Sequence, residues 1–260
     1  MQAGLAAVGI HSEYGGPHSN HATEMALVSF PDGSYLELIA IQSSPDPKAL
    51  AAHYWYQQMD LDAGPAAWAV RPRDLPGEVA RLRTAGVTVP QPVRAGRQRP
   101  DGTALDWETA NTGTEPNGTY FPFMIHDFTP REQRAWPSGK PTTEDFGGVG
   151  RVVIAVHNLD AGIERYRKAY ALPAPSRETD KNLAADLAWF PGTPVVLAAP
   201  TAENSWVDTR IVRFGEGPIA FILKPGTKVH SYKAASKSHW FGAEVSWFDT
   251  STLGWRLGFE

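Results

Sequence analysis

Glu37 is the residue of this chain whose setting most demands a chemical reason. It stands in Tyr35-Leu36-Glu37-Leu38-Ile39, and because strand side chains alternate it shares a face with Tyr35 and Ile39. A carboxylate on so apolar a strand neutralises unless a cation, a hydrogen bond or an open pocket supports it. The bland alternative is a solvent-facing glutamate on a one-sided sheet. His18 and His21 sit in Tyr14-Gly15-Gly16-Pro17-His18-Ser19-Asn20-His21, a loop-forming segment where imidazoles serve as ligands or general bases, or are simply surface polar groups. His126 follows the apolar run Phe121-Pro122-Phe123-Met124-Ile125 and is a candidate partner for Glu37. Its neighbour Asp127 must point to the opposite strand face and suits a turn role. Arg97 and Arg99 approach the Pro100-Asp101-Gly102 turn with period-two spacing, which fits either an anionic substrate or a solvated hairpin face. Trp68, Trp107, Phe121 and Phe123 could line an apolar ligand pocket or fill a core.

The elements that would position these residues are written as repeats. Leu27 to Ala40 is echoed by Leu187 to Pro200: each is an apolar strand, a Pro/Gly turn and a second apolar strand, hence a hairpin. On that offset Leu197 stands where Glu37 stands. Ala69-Val70 followed by Asp74, and Ala155-Val156 followed by Asp160, each read as a strand leading to a helix N-cap. The first helix is expected from Leu75 to Ala85, with Pro76 in its opening turn and Gly86 at its stop; the second from Ala161 to Leu172, ending at Pro173. A third hairpin joins Ala104–Glu108 to Tyr120–Ile125, and later strands are expected at Arg210–Phe214 and Pro218–Leu223. Asp145-Phe146-Gly147-Gly148-Val149-Gly150 reads as a joint between residues 1–145 and residues 146–260. The first module lacks an opening strand, with only Gln2 to Val8 before it as the end of a helix, and the sheet edge this leaves invites pairing into a homodimer.

The totals narrow the chemistry. The 260 residues carry a formal net charge of -4, so no overall positive field is available to hold nucleic acid or an anionic membrane. Cysteine is absent, which removes disulfides and thiolates and leaves His, Asp and Glu as the strong metal ligands. No apolar run approaches the roughly 20 residues of a membrane span, and the N-terminal residues lack the basic start of a signal peptide, so a cytoplasmic location is expected. Neither a phosphate-cradling glycine loop nor a nucleophile elbow occurs.

The stretch Tyr14 to Thr23 followed by Tyr35-Leu36-Glu37-Leu38-Ile39, with Arg99-Pro100-Asp101-Gly102, Leu105, Trp107 and Phe121 to Ile125, resembles glyoxalase-like domains of the vicinal-oxygen-chelate superfamily. The resemblance implies an α+β fold of repeated βαβββ modules whose curled mixed sheets form a cup. It also implies a divalent metal that chelates substrate oxygens, held by a His on a module's first strand and a Glu on its last. Glu37 matches the Glu position. With the first strand missing, His18, His21 or His126 would complete the ligand set, and His18 or His126 would serve as acid or base. The leading expectation is therefore a metal-assisted lyase, isomerase or oxygenase acting on a small oxygenated molecule, with Glu37 and His18 catalytic and Trp68, Trp107, Phe121, Phe123 and Arg97 binding the ligand. The alternative is a metal-free protein of the same fold that sequesters a small molecule.

Overall fold

In the computed structural model, which describes residues 1–228 and 231–260, the chain is a mixed α+β structure of three sheets. It opens with helix α1 (Gln2–Ala7) and a meander of β1 (Glu13–Pro17), β2 (Thr23–Ser29) and β3 (Tyr35–Ile41). Leu36 and Leu38 turn to one face of that meander and join Leu5, Ala26, Val28 and Phe30 in a core. Alternation then turns Tyr35, Glu37 and Ile39 to the other face. Two short helices follow, α2 (Pro47–Ala51) and α3 (Tyr56–Asp60), and α3 packs on β3, which no strand covers among the described residues. Asp46 starts α2 by accepting hydrogen bonds from the amides of Lys48 and Ala49.

The second module is complete: β4 (Ala69–Val70), α4 (Leu75–Thr84), β5 (Val93–Gln98), β6 (Ala104–Ala110) and β7 (Phe123–Asp127) form a sheet in the order β4-β7-β6-β5. The parallel pairing of β4 with β7 across α4 is the mark of the βαβββ unit. Asp74 caps α4 through the Gly77 amide, at 3.0 Å. The short helix α5 (Arg131–Ala135) leads out of this module.

The remaining strands curl into one eight-stranded, nearly closed sheet. Strand β8 (Phe146–Ala155), helix α6 (Leu159–Tyr170), β9 (Ser176–Asp180), β10 (Ala185–Trp189) and β11 (Val195–Pro200) repeat the module. They are followed by α7 (Trp206–Phe214), β12 (Gly217–Pro225), β13 (Ser236–Trp240), β14 (Ala243–Trp247), α8 (Thr250–Leu253) and β15 (Arg256–Phe259), giving the order β13-β14-β15-β12-β8-β11-β10-β9.

Four sequence expectations are corrected. The predicted strand at Arg210–Phe214 is the end of α7, whose Val207 and Ile211 fall on one helical face and bury it. The cap of α6 is Asn158, which accepts from the Ala161 amide at 2.9 Å, so that helix starts and ends two residues before its predicted bounds. The glycine run after Asp145, expected as a joint, is itself the opening of strand β8. A side chain at Gly147 would meet the Pro225 carbonyl at 2.7 Å, and one at Gly148 would meet the Asp32 carboxylate at 2.1 Å, so glycine here permits close approach. Finally, the echo between hairpins slips at the turn. Leu27 pairs with Glu37 in the first hairpin, whereas Leu187 pairs with Ala198 in the second, because its turn is one residue longer. The counterpart of Glu37 is thus Ala198, and Leu197 faces the α6 side.

The closure between β9 and β13 rests on Asp180. Its carboxylate accepts hydrogen bonds from the amides of Asn182 (2.7 Å) and Leu183 (2.9 Å) and from the Trp240 indole (2.5 Å). Burial pushes the Asp180 pKa up, but these donors outweigh it and hold the group below the ordinary aspartate value. Replacing Asp180 with Ala strands the buried Leu183 amide and Trp240 indole, and equilibrium denaturation should show a loss of about 2–4 kcal/mol. Since the folded pKa is the lower one, this contribution is present above the unfolded value and is lost as pH falls through the folded value. An Asp180→Asn protein should accordingly lose less stability than wild type between neutral and acidic pH.

Candidate functional site

The inner faces of the two N-terminal sheets meet around Glu37. Its carboxylate lies 3.4 Å from Nε2 of His18, and both side chains remain partly open to water, at 33% and 20% exposure. His18 is presented by the β1–β2 connection, which Asn20 builds by accepting the amides of Ala22 and Thr23. The Nδ1 of His18 is 2.8 Å from the hydroxyl of buried Thr23. The other ring nitrogen, Nε2, faces the Glu37 carboxylate, so Thr23 fixes the orientation of the imidazole toward it. Enclosure by the cup raises the Glu37 pKa, but the bond to His18, its charge, and the charges of Arg134 and Arg97 outweigh this. The net effect holds Glu37 below the ordinary glutamate value, and it is ionised at neutral pH.

Arg134, on α5, is the charge that ties this face together. It donates to both oxygens of Asp127 on β7 and to the Tyr35 hydroxyl on β3, in a setting where the Arg134 and Asp127 side chains are each 6% exposed. Its guanidinium also lies over the Trp107 ring, 5.7 Å from the centroid. Burial opposes the Arg134 charge, yet Tyr35, Asp127 and Glu37 hold its pKa above the usual arginine value.

Arg97 is different. Only 9% exposed, it donates from Nη1 to the Gly15 carbonyl at 2.5 Å, fastening β5 to β1, and forms no ion pair among the described residues. Burial lowers its pKa, Glu37 being the nearest compensating charge and Tyr35 the next. Its remaining N–H groups are not among the buried polar atoms left without a partner, so they reach accessible space.

The other predicted site residues divide. Trp107 and Phe123 occupy alternate positions that share the inner face with Asp127. Trp68 and Phe121 lie in the core between α4 and α6, where Phe121 packs on Tyr120, Tyr166 and Tyr170, so neither joins Glu37. Trp68 borders a separate cavity of about 590 Å³ with Pro122, Tyr170 and Leu172. His126 faces away from Asp127 and Arg134, its ring edge-on to Phe128, so it is not a partner of Glu37. His21 is exposed at a positive φ of 56° and its side chain makes no hydrogen bond among the described residues. His53 went unnoticed in the sequence. It sits between α2 and α3, where the charges of His18 and Glu37 reach it.

The metal that the resemblance implies was tested against these donors. Among the described residues no three His, Asp or Glu side chains gather as ligands. Among the described residues His18 and Glu37 are the two donors that meet, and the charges acting on Glu37 from Arg97 and Arg134 are positive, which opposes a further cation. That donor set does not fit a divalent cation. Titration with Mn²⁺ or Zn²⁺ is expected to reveal no saturable site that Glu37→Gln abolishes. The two arginines should separate in stability: Arg134→Met leaves the Asp127 carboxylate buried and should cost about 3–5 kcal/mol, while Arg97→Met removes an unpaired charge and should stay within about 1 kcal/mol of wild type in urea denaturation.

Comparison with known proteins agrees with this architecture. A solved structure of a hypothetical protein from Staphylococcus aureus superposes with a TM-score of 0.63 at 14% identity, covering 98% of this chain and 92% of that one. Methylmalonyl-CoA epimerase from Mycobacterium tuberculosis matches at a TM-score of 0.38 and 17% identity, over 45% of this chain and 89% of its own. The Streptomyces coelicolor epimerase in complex with 2-nitronate-propionyl-CoA matches at 0.36 and 18%, over 43% and 94%. No curated protein matches in sequence. Residues 2–170, well over half of the chain, match the family model of the glyoxalase-like domain, and the protein therefore belongs to that family within the vicinal-oxygen-chelate superfamily.

Proposed function

We propose that the N-terminal cup binds a small carboxylate bearing a carbonyl group and moves a proton at the carbon next to that carbonyl, without a metal. The observation that carries this reading is the pairing of two unlike charges in one cup. Among the described residues Arg97 is buried without an ion-paired carboxylate, and Glu37 has one oxygen facing His18 and no hydrogen bond to the other. A guanidinium held largely out of water with no anion bonded to it is unfavourably solvated, and a ligand carboxylate would offset that. Its planar fork suits bidentate binding of that group.

Each residue then has a role. Arg97 anchors the substrate carboxylate, and the free oxygen of Glu37 takes the proton. His18, aligned by Thr23, donates to the other oxygen and keeps the base oriented. Expulsion of water by the substrate removes solvation from the Glu37 anion and raises its basicity above that of the empty cup. Trp107 and Phe123 supply apolar wall for the body of the substrate. The expectation of metal-assisted chemistry gives way here to acid–base chemistry by the chain's own groups.

The test is hydrogen exchange in D2O followed by proton NMR, with pyruvate, 2-oxobutyrate, phenylpyruvate and acetoacetate as substrates. Wild-type protein should accelerate exchange of at least one, and Glu37→Gln should slow it by 10²- to 10⁴-fold, the range for removal of a general base. Arg97→Met should weaken binding with intact folding. Exchange no faster than buffer for all four compounds overturns the reading. Saturable quenching of tryptophan fluorescence without exchange would instead return the protein to the sequestration alternative.

A further inference from the structure

The cup as described has a base and an anchor but nothing to meet the negative charge that proton removal creates on the substrate carbonyl. His53 answers to that need. The segment carrying it lies along β3, the strand left at the sheet edge, where α3 packs. Trp55 pins the segment in place: its indole N–H donates to the Asn117 carbonyl at 2.8 Å and its ring meets Phe123 of β7 at a centroid distance of 6.3 Å. The chain thus bridges β3 to β7, and the His53 ring, against the Trp55 indole that meets inner-face Phe123, lies where the charges of His18 and Glu37 act on it.

The protonation of the ring follows from a single contact. The Trp55 backbone amide lies 3.2 Å from Nδ1 of His53, and an amide N–H can only donate. Nδ1 must therefore be the bare acceptor nitrogen, so the proton of the neutral ring is on Nε2. A second proton on Nδ1 would set two N–H groups against each other. Burial and the neighbouring His18 also disfavour the charged form, against a smaller opposing effect of Glu37. The ring is further held edge-on against the Trp55 indole, at 5.6 Å between centroids.

We propose that His53 is the hydrogen-bond donor to the reacting carbonyl, its Nε2–H fixed by the Trp55 amide on Nδ1. The assignment rests on the proton-transfer reading above. In the step, Glu37 takes a proton from the carbon beside the carbonyl and the C–H electron pair becomes the C=C bond. The carbonyl π pair moves to oxygen, which His53 Nε2–H holds as the enolate. Return of a proton from Glu37 to either face of that carbon restores the ketone, so no oxidant or second reactant is consumed. A neutral donor is suited to this task because it stabilises the developing oxyanion while keeping its own proton.

Two measurements test this. In the exchange assay, His53→Leu should lower kcat by about 10²-fold with KM changed less than about threefold, and His53→Gln, which retains an N–H donor, should recover at least tenfold of that loss. In long-range proton–nitrogen NMR of wild type at pH 7, His53 should show the Nε2–H tautomer, and its Nε2 signal should move on addition of oxalate, a planar dianionic mimic of an enolised 2-oxo acid. Wild-type kcat in folded His53→Leu, an Nδ1–H or doubly protonated ring, or an Nε2 signal unmoved by saturating oxalate would each overturn the assignment. Absence of exchange in wild type itself would count against the proton-transfer reading, while the tautomer and the oxalate response would still judge His53.

Discussion

The buried ion pair between Asp127 and Arg134 is the contact on which the N-terminal half depends. The pair is nearly sealed from water, so its attraction is little screened, and removal of either partner would strand a charge. Its geometry matters as much as its strength. Arg134 reaches β7 through Asp127 and β3 through Tyr35, while Arg131 donates to the Gly33 carbonyl and Trp136 to the Phe30 carbonyl, at 2.9 and 3.1 Å. Arg99 reaches back from β5 to the Gln133 carbonyl at 3.0 Å. One short helix therefore braces both sheets, and the inner faces keep their distance across the cup instead of collapsing onto one another. The same positive charge contributes to keeping Glu37 ionised.

The C-terminal half shows what happens to this architecture without such a brace. Its inner face is occupied by Val207 and Ile211 of α7, by Ile219, and by Trp240 and Trp247, with Ala198 at the place of Glu37. Those side chains form a dry core, and Asp180 closes the sheet around them through hydrogen bonds. Two copies of one module thus take opposite solutions: one half fills its interior with apolar volume and gains stability, the other keeps charged groups around an accessible centre and gives some up. Buried charge without a partner is tolerated where a ligand supplies the partner. On the proposed reading, the concentration of unlike charges is what assigns the chemistry to the N-terminal half.

Much of the fold was legible because strand periodicity and turn chemistry are local. The Pro/Gly hairpins, the Asp74 cap and the modular order could be read directly, and Glu37 stood out as a carboxylate in an apolar strand. The errors arose where a non-local fact decided. A one-residue difference in turn length moved the counterpart of Glu37 to Ala198, which no comparison of residue types detects. Glycines after Asp145 looked like a joint because the Asp32 and Pro225 atoms that need the room lie far away in sequence. Trp68 and Phe121 were read as pocket lining, yet their strand faces are settled by where α4 and α6 pack. His53 carried no signal in its neighbours. Only the packing of α3 on β3 and of Trp55 on Phe123 of β7 brings it within reach of the charges of His18 and Glu37.

The chemistry of the cup follows from what its charges do to one another. A glutamate held below its ordinary pKa is a weak base in water, which argues against catalysis by the empty cup and for catalysis by the filled one. Entry of an anionic ligand removes water from Glu37, and its carboxylate on Arg97 weakens the help that this guanidinium gives to the Glu37 anion. On the proposed reading both changes would raise the basicity of Glu37 when a substrate is present. Thr23 and Glu37 lie against the two ring nitrogens of His18 and fix its orientation. On the proposed reading the base is restrained until a carboxylate arrives, and the ligand's own charge is what releases it.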